Sequence, residues 1–180
     1  MLAMELQADE RSLRRAVEVG VLRFQRPSPR RIEISEAEKD YLRSHWSTLS
    51  ALRAALRTEP NVRTAVLFGS VARGTETEES DLDLLVKFDD DSIAAAAGLE
   101  ARLGLRLGRE IQVVRWAEAK AKPTFLLTIL EEGRPLVDRD GSWARVGGHR
   151  GRLRKQAIAR RAEQSQAARA ALDSLGAPAG

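Results

Sequence analysis

The sequence predicts a small α/β protein of α+β character: a mixed sheet with helices, set between a helical N-terminal arm and a basic C-terminal helix. Three observations predict it. Short aliphatic runs, Val62–Phe68, Leu82–Phe88 and Glu110–Arg115, have strand length and are separated by segments of helical character. Leu42, Trp46, Leu49, Leu52 and Leu56 recur at helical spacing ahead of the first run, with Tyr41 beside the same face. The chain has 180 residues, 43% hydrophobic and 31% charged, which suits one ordinary folded domain or a small module attached to a larger one.

The elements follow in order. Leu2–Leu6 reads as a short helical stub, and Gln7-Ala8 turn the chain. Asp9 is placed to cap a helix running to about Val19, with Gly20 as its stop and Leu13, Ala16 and Val17 as its apolar face. Val21–Phe24 and Arg31–Ile34 read as two strands of a small hairpin around the proline-stiffened tip Arg26-Pro27-Ser28-Pro29-Arg30. Ser35 and Glu38 have capping-box spacing at the start of the long helix, which should end just before Pro60. Beyond the second strand, Ser92 can cap a helix through Leu107, weakened by Gly98 and Gly104. Pro123–Glu132 reads as a helix closed by Gly133, and Pro135–Val137 as a short last strand. A polar, alanine-rich helix over about Leu153–Leu175 and a disordered tail over Gly176–Gly180 complete the chain. The divisions expected are 1–35, a helix-turn-helix with wing; 36–59, a linking helix; 60–142, the α/β domain; and 143–180, a basic helical tail.

Composition excludes several chemistries. There is no cysteine, which removes disulfides, thiol catalysis and cysteine-based zinc sites. The two histidines, His45 and His149, lie far apart, which argues against a histidine-rich metal site, and His45 beside Trp46 reads as structural. Uncharged stretches such as Thr64–Ala72 are too short to span a bilayer, and Glu5, Asp9 and Glu10 fall where a leader would be basic and apolar. The expectation is therefore cytoplasmic, without a membrane partner. Charge is distributed unevenly: net +2 over residues 1–35, −4 over 36–142 and +6 over 143–180. Basic ends suit a polyanion, and an acidic middle suits a divalent cation. Asp89-Asp90-Asp91 reads as a solvated turn, and Trp46, Trp116 and Trp143 as packing residues.

The chemistry concentrates in Val66-Leu67-Phe68-Gly69-Ser70-Val71-Ala72-Arg73-Gly74 and Ser80-Asp81-Leu82-Asp83-Leu84-Leu85-Val86. A strand ending in Gly69-Ser70 can open a helix there. Gly69 admits close backbone approach to a phosphate, Ser70 adds a hydroxyl, and Arg73 can reach a phosphate oxygen from the next turn. Asp81 and Asp83 alternate along a strand, so both carboxylates face one side and suit Mg²⁺ together with substrate phosphates. Phosphate donors beside paired carboxylates are the parts needed for metal-assisted nucleotidyl transfer.

This segment resembles the signature of the DNA polymerase beta superfamily of nucleotidyltransferases, in particular the minimal nucleotidyltransferases of prokaryotic toxin–antitoxin modules. Ten residues, Val71–Ser80, separate Ser70 from Asp81, as the family pattern asks, and the likeness covers about Ala51–Trp143 with the closing Asp138-Arg139-Asp140-Gly141. The resemblance implies a nucleotidyltransferase fold, ATP or another NTP as donor, Mg²⁺ as cofactor, Ser70 at the triphosphate, and Asp81 and Asp83 as catalytic metal ligands. It also implies a cognate toxin or other acceptor protein as partner. One departure stands out. The family's third carboxylate falls on the later strand, where Gly108-Arg109-Glu110-Ile111-Gln112 places Gln112. Glutamine neither holds a metal strongly nor accepts a proton. Glu110, on the same face two residues earlier, is the alternative carboxylate, but a shift of roughly 6–7 Å is large for in-line chemistry, and a solvated strand-end residue is the favoured reading.

The N-terminal pattern of Ala3, Leu6, Ala8, Ser12-Leu13-Arg14-Arg15 and Gly20-Val21-Leu22 resembles the winged helix-turn-helix of MerR-type regulators. That likeness implies Arg11, Ser12, Arg14 and Arg15 on a recognition helix and Arg26, Arg30 and Arg31 on a wing, with operator DNA as partner. Three readings follow. One is an active antitoxin-type enzyme with a DNA-binding module. The second is a catalytically impaired regulator or partner-binding protein of the same fold. The third, a small-molecule transferase of the aminoglycoside-modifying kind, lacks an obvious substrate domain.

Overall fold

The computed structural model describes residues 2–28 and 31–176. The N-terminal arm contains α1 (Leu2–Glu5) and α2 (Glu10–Val19), then a two-stranded ribbon of β1 (Gln25–Ser28) and β2 (Arg31–Glu33). Asp9 caps α2 by accepting the Ser12 amide at 2.8 Å, and Gly20 closes it by donating to Ala16 and Val17 carbonyls. The ribbon starts later than the sequence suggests, at Gln25 rather than Val21. Val21 and Leu22 are buried beneath α2, and hydrophobic burial takes precedence over their strand propensity. Pro29 and Arg30 of the expected tip lie outside the described residues, as do residues 177–180 of the expected tail.

The long helix α3 (Glu36–Arg57) starts at Ser35, whose hydroxyl accepts the Glu38 amide at 3.2 Å. The reciprocal half of the capping box is not made. Glu38 turns inward, 6% exposed, and forms two hydrogen bonds to Arg134 at 2.6 and 2.9 Å, because a buried guanidinium is the stronger partner. Leu42, Leu49, Leu52 and Leu56 are fully buried along one stripe of α3.

The main sheet and its covering helices follow: β3 (Val62–Phe68), α4 (Gly69–Arg73), β4 (Leu82–Phe88), α5 (Ile93–Leu107), β5 (Ile111–Arg115), α6 (Trp116–Lys120), α7 (Pro123–Glu132), β6 (Arg134–Asp138), α8 (Ser142–Gly148) and α9 (Arg150–Gly176). The strand order is β5-β4-β3-β6, with β3 antiparallel to both neighbours and β4 parallel to β5. The parallel pair requires a crossover, and α5 supplies it. Helix α6 was not expected: the sequence ran the third strand to Arg115 and left Trp116–Lys120 unassigned.

Alternation along the strands divides the interior. Ala65, Leu67, Leu82, Leu84 and Val86 face α3 and α5, and share one cluster with Leu6, Ala16, Val21 and Leu22 of the N-terminal arm. Val66, Phe68 and Leu85 face the other way, against Trp116, Leu126, Ile129 and Leu130, with Trp143 packed alongside. Residues 2–22 thus share a core with the sheet. No helix among the described residues is long and apolar enough to cross a membrane.

Candidate active site

Strand β3 is buried throughout its last five residues and ends at Phe68, where the chain turns into α4. The turn depends on Gly69, at φ +75°. A Cβ there would lie 2.1 Å from Asp83 Oδ2 and 3.0 Å from its Cγ, so any side chain would displace the carboxylate. That contact fixes the site: the Gly69-Ser70 backbone lies directly against Asp83 of the neighbouring strand. Pairing of Phe68 with Asp83 across β3 and β4 sets the approach. Gly74, at φ +76°, ends α4, and a Cβ at this position would sit 3.0 Å from the Tyr41 ring.

Asp81 precedes β4 and Asp83 is its second residue, and both are half-buried. Burial pushes the Asp83 carboxyl above its ordinary value, the Asp81 charge adds to this, and Arg73 offsets part of it. Neither aspartate's carboxylate accepts a hydrogen bond from any described residue. Two carboxylates without a hydrogen-bond donor among the described residues, beside a glycine-serine turn, suit a hard divalent cation such as Mg²⁺. Gln112 pairs directly with Asp83 across the parallel strands and is exposed. Glu110 lies just before β5, exposed, and its carbonyl accepts the Leu82 amide. Among the described residues no group of three or more His, Cys, Asp or Glu comes together as a metal cage.

Arg73 is held by α7: its guanidinium donates to both Glu132 oxygens at 2.9 Å. Reaching a phosphate would require it to leave that pair. Sequence reasoning missed Glu132, and it missed the brace under α4. Arg134, 2% exposed, donates from Nε to the Ala72 carbonyl at 3.0 Å, and its guanidinium lies 3.6 Å above the Tyr41 ring. Tyr41 in turn donates to the Val71 carbonyl at 3.1 Å. The signal in the sequence was an arginine opening an otherwise apolar strand, Arg134-Pro135-Leu136-Val137. His45 is buried between the Tyr41 carbonyl and Glu76, as a structural histidine.

The DNA-directed residues are placed differently. Arg11, Arg14 and Arg15 are exposed on α2, and Arg26 is exposed on β1. Ser12 spends its hydroxyl on Asp9 Oδ2 at 2.6 Å, completing the helix cap. Arg31 pairs with Glu33 at 2.7 Å. Arg30 lies outside the described residues.

A four-stranded mixed sheet with a Gly-Ser turn at one strand end and Asp-x-Asp on the next strand defines a nucleotidyltransferase fold. Residues 50–142 match the profile of the Polymerase beta, Nucleotidyltransferase family, and the chain belongs to that family. It is 41% identical over 54 residues to a putative protein adenylyltransferase of Methanocaldococcus jannaschii, a match covering 30% of this chain and 47% of that protein. The chain thus spans about half the length of that relative. It is 34% identical over 87 residues to the protein adenylyltransferase MntA of Thermococcus cleftensis, covering 48% of this chain and 86% of that one. Among solved structures, a mutant of the toxin–antitoxin MntA-HpeT superposes with a TM-score of 0.50 at 18% identity, over 72% of this chain and 98% of that chain, a likeness of fold.

Proposed function

We propose that this chain transfers a nucleoside monophosphate from ATP or another NTP to a hydroxyl on a partner protein, as an antitoxin acts on a cognate toxin. The observation that carries this reading is the close approach of the Gly69 backbone to Asp83, where an added Cβ would meet the carboxylate. Relatives named protein adenylyltransferases support the donor and the acceptor class. Asp81 and Asp83 are the residues that would hold Mg²⁺, which when bound supplies charge neutralisation at the phosphates. Ser70 and the backbone at Gly69 position the triphosphate. Arg73, released from Glu132, reaches its outer oxygens. The acceptor oxygen forms a bond to the α-phosphorus, the bond from that phosphorus to the bridging oxygen breaks, and pyrophosphate leaves with the electron pair.

The hydroxyl proton is the weak point of this chemistry. Gln112 cannot take it, so it passes to solvent, and the reaction is slower than an aspartate at that position would make it. Replacing Gln112 with Asp is expected to raise the transfer rate by about 10²-fold or more. The measurement is mass spectrometry of the partner after incubation with Mg²⁺ and ATP, following addition of AMP with time. Transfer absent from both wild type and Gln112→Asp would sink the enzymatic reading. It would leave the second one, a regulator of the same fold that binds its partner without chemistry, which the position of Gln112 opposite Asp83 favours.

We also propose that the N-terminal arm binds operator DNA. The support is the order helix, turn, helix, ribbon, with Arg11, Arg14, Arg15 and Arg26 exposed along it. Arg31, on the ribbon, adds a phosphate contact, and Arg30, outside the described residues, is proposed with it. Changing Arg14 and Arg15 to Ala is expected to reduce the slope of log affinity against log salt by about 2. Fluorescence anisotropy of labelled operator duplex over a salt series reads this, and an unchanged slope would remove these residues from the interface.

A further inference from the structure

Away from the candidate site, one buried arginine has no hydrogen-bond or ion-pair partner among the described residues. Arg53, on α3, is 7% exposed, and its Nε is buried without a hydrogen-bond acceptor. No carboxylate pairs with it among the described residues. The other deeply buried arginine, Arg134, has Glu38 and two backbone carbonyls. The charges bearing on Arg53 are of its own sign: burial, then Arg57, then Arg15 push its guanidinium below the ordinary value. A buried charge with like charges around it is costly, and its usual compensation is a counter-ion with hydrogen-bond acceptors.

Arg53 lines a cleft of about 340 Å³ between α2, α3 and β6, whose other charged residues are Arg15, Glu18, Arg57, Asp138 and Arg139. Two of these are engaged elsewhere. Arg139 donates to the carbonyls of Leu56, Arg57, Glu59 and Val62, closing the C-terminal end of α3. Asp138 accepts from the Thr64 hydroxyl and from the amides of Trp143 and Ala144. Those donors to Asp138 are neutral and leave its charge in place, so Arg15, Arg53, Arg57 and Arg139 face Glu18 and Asp138, an excess of two positive charges. The cleft adjoins the start of β3, while Gly69 follows its end, roughly 20 Å along the strand. It adjoins the opposite end of β3 from Gly69, so it is separate from the candidate site.

We propose that this cleft binds the terminal phosphate of a small phosphorylated ligand. Guanidinium groups match phosphate oxygens in pairs, and a volume of this order suits a small molecule. Arg53 lies below the surface, so the charged end of the ligand must enter the cleft. A phosphomonoester dianion at the tip of a molecule does this, whereas a diester flush with a duplex backbone does not.

The test uses the full chain in phosphate-free buffer, with inorganic phosphate as the probe and chloride at matched ionic strength as the control. Phosphate is expected to raise the thermal unfolding midpoint of the wild type and of Asp81→Asn/Asp83→Asn, while chloride does not. Arg53→Met is expected to lose that shift and to raise the midpoint in phosphate-free buffer, because it removes an unpaired buried charge. Arg57→Gln, at an exposed position, should weaken the shift and carries the test should Arg53→Met fail to fold. Equal shifts with chloride, or a full shift retained in both arginine variants, would overturn the proposal. A labelled DNA duplex whose affinity depends on Arg53, with no response to inorganic phosphate, would also overturn it and assign the cleft to nucleic acid.

Discussion

Replacing Glu38 with alanine is expected to destabilise the fold by about 3–5 kcal/mol, because it leaves Arg134 buried and uncompensated. The two side chains are 6% and 2% exposed and meet through two hydrogen bonds. Set against a typical total of about 5–15 kcal/mol, this is a large fraction. A fall in the unfolding midpoint of about 10 °C follows for a chain of this size. The effect extends to the site. Arg134 holds the Ala72 carbonyl of α4 and lies over Tyr41, which holds the Val71 carbonyl. Losing Glu38 therefore loosens the helix that begins at the Gly69-Ser70 turn, and under the proposed function nucleotide affinity should fall along with stability. Urea denaturation followed by circular dichroism measures the first quantity. A change within about 0.5 kcal/mol, the usual range for surface substitutions, would show that the pair bears no net load. The double variant Glu38→Leu/Arg134→Met should recover part of the loss. It cannot recover all, because the Ala72 and Val21 carbonyls lose their donor.

The second large effect is functional. Asp81→Asn/Asp83→Asn is expected to lower Mg²⁺-dependent nucleotide transfer by about 10²-fold or more, the scale on which removing one preorganised electrostatic group acts. Calorimetric titration of ATP with Mg²⁺ should show the corresponding loss of binding. Retained transfer would end the metal-ligand assignment. The same substitution has an opposite effect on stability, which separates loss of function from misfolding. Asp83 holds its proton more tightly in the folded chain than in the unfolded one, since its carboxyl is raised above the ordinary 3.8. Folding stability contributed by this group therefore falls as pH rises from that ordinary value through the raised one, and stays lower above it. Asparagine carries no charge at any pH. Asp83→Asn should be more stable than the wild type at neutral pH, and the difference should vanish below the ordinary carboxylate range. Midpoints measured at both ends of that window check the sign.

The candidate site is readable in the sequence because it lies in a short, contiguous stretch. Strand alternation alone places Asp81 and Asp83 on one face, and a glycine-serine pair after a buried aliphatic run marks where the chain turns. The strands Val62–Phe68 and Leu82–Phe88 and the helix ending at Leu107 were readable from periodicity and caps. Sequence also placed Gln112 on the later strand. Its consequence needed the register, because strand pairing is what sets Gln112 opposite Asp83.

What the sequence determined by itself was local: the cap at Asp9, the apolar stripe of α3, the run lengths of the strands and the spacing of the Gly-Ser and Asp-x-Asp elements. What only the tertiary structure decided was which charged side chains would lose water, and with what partner. Glu38 looks like half of a capping box and becomes the partner of Arg134, 96 residues away. Arg73 looks free and is held by Glu132, 59 residues on. Arg53 looks like one more charge on a helix and is buried with no described partner. Helical and strand periods are set by backbone geometry within a few residues. Desolvation is set by every element packed around a group, and no local window of sequence contains that information.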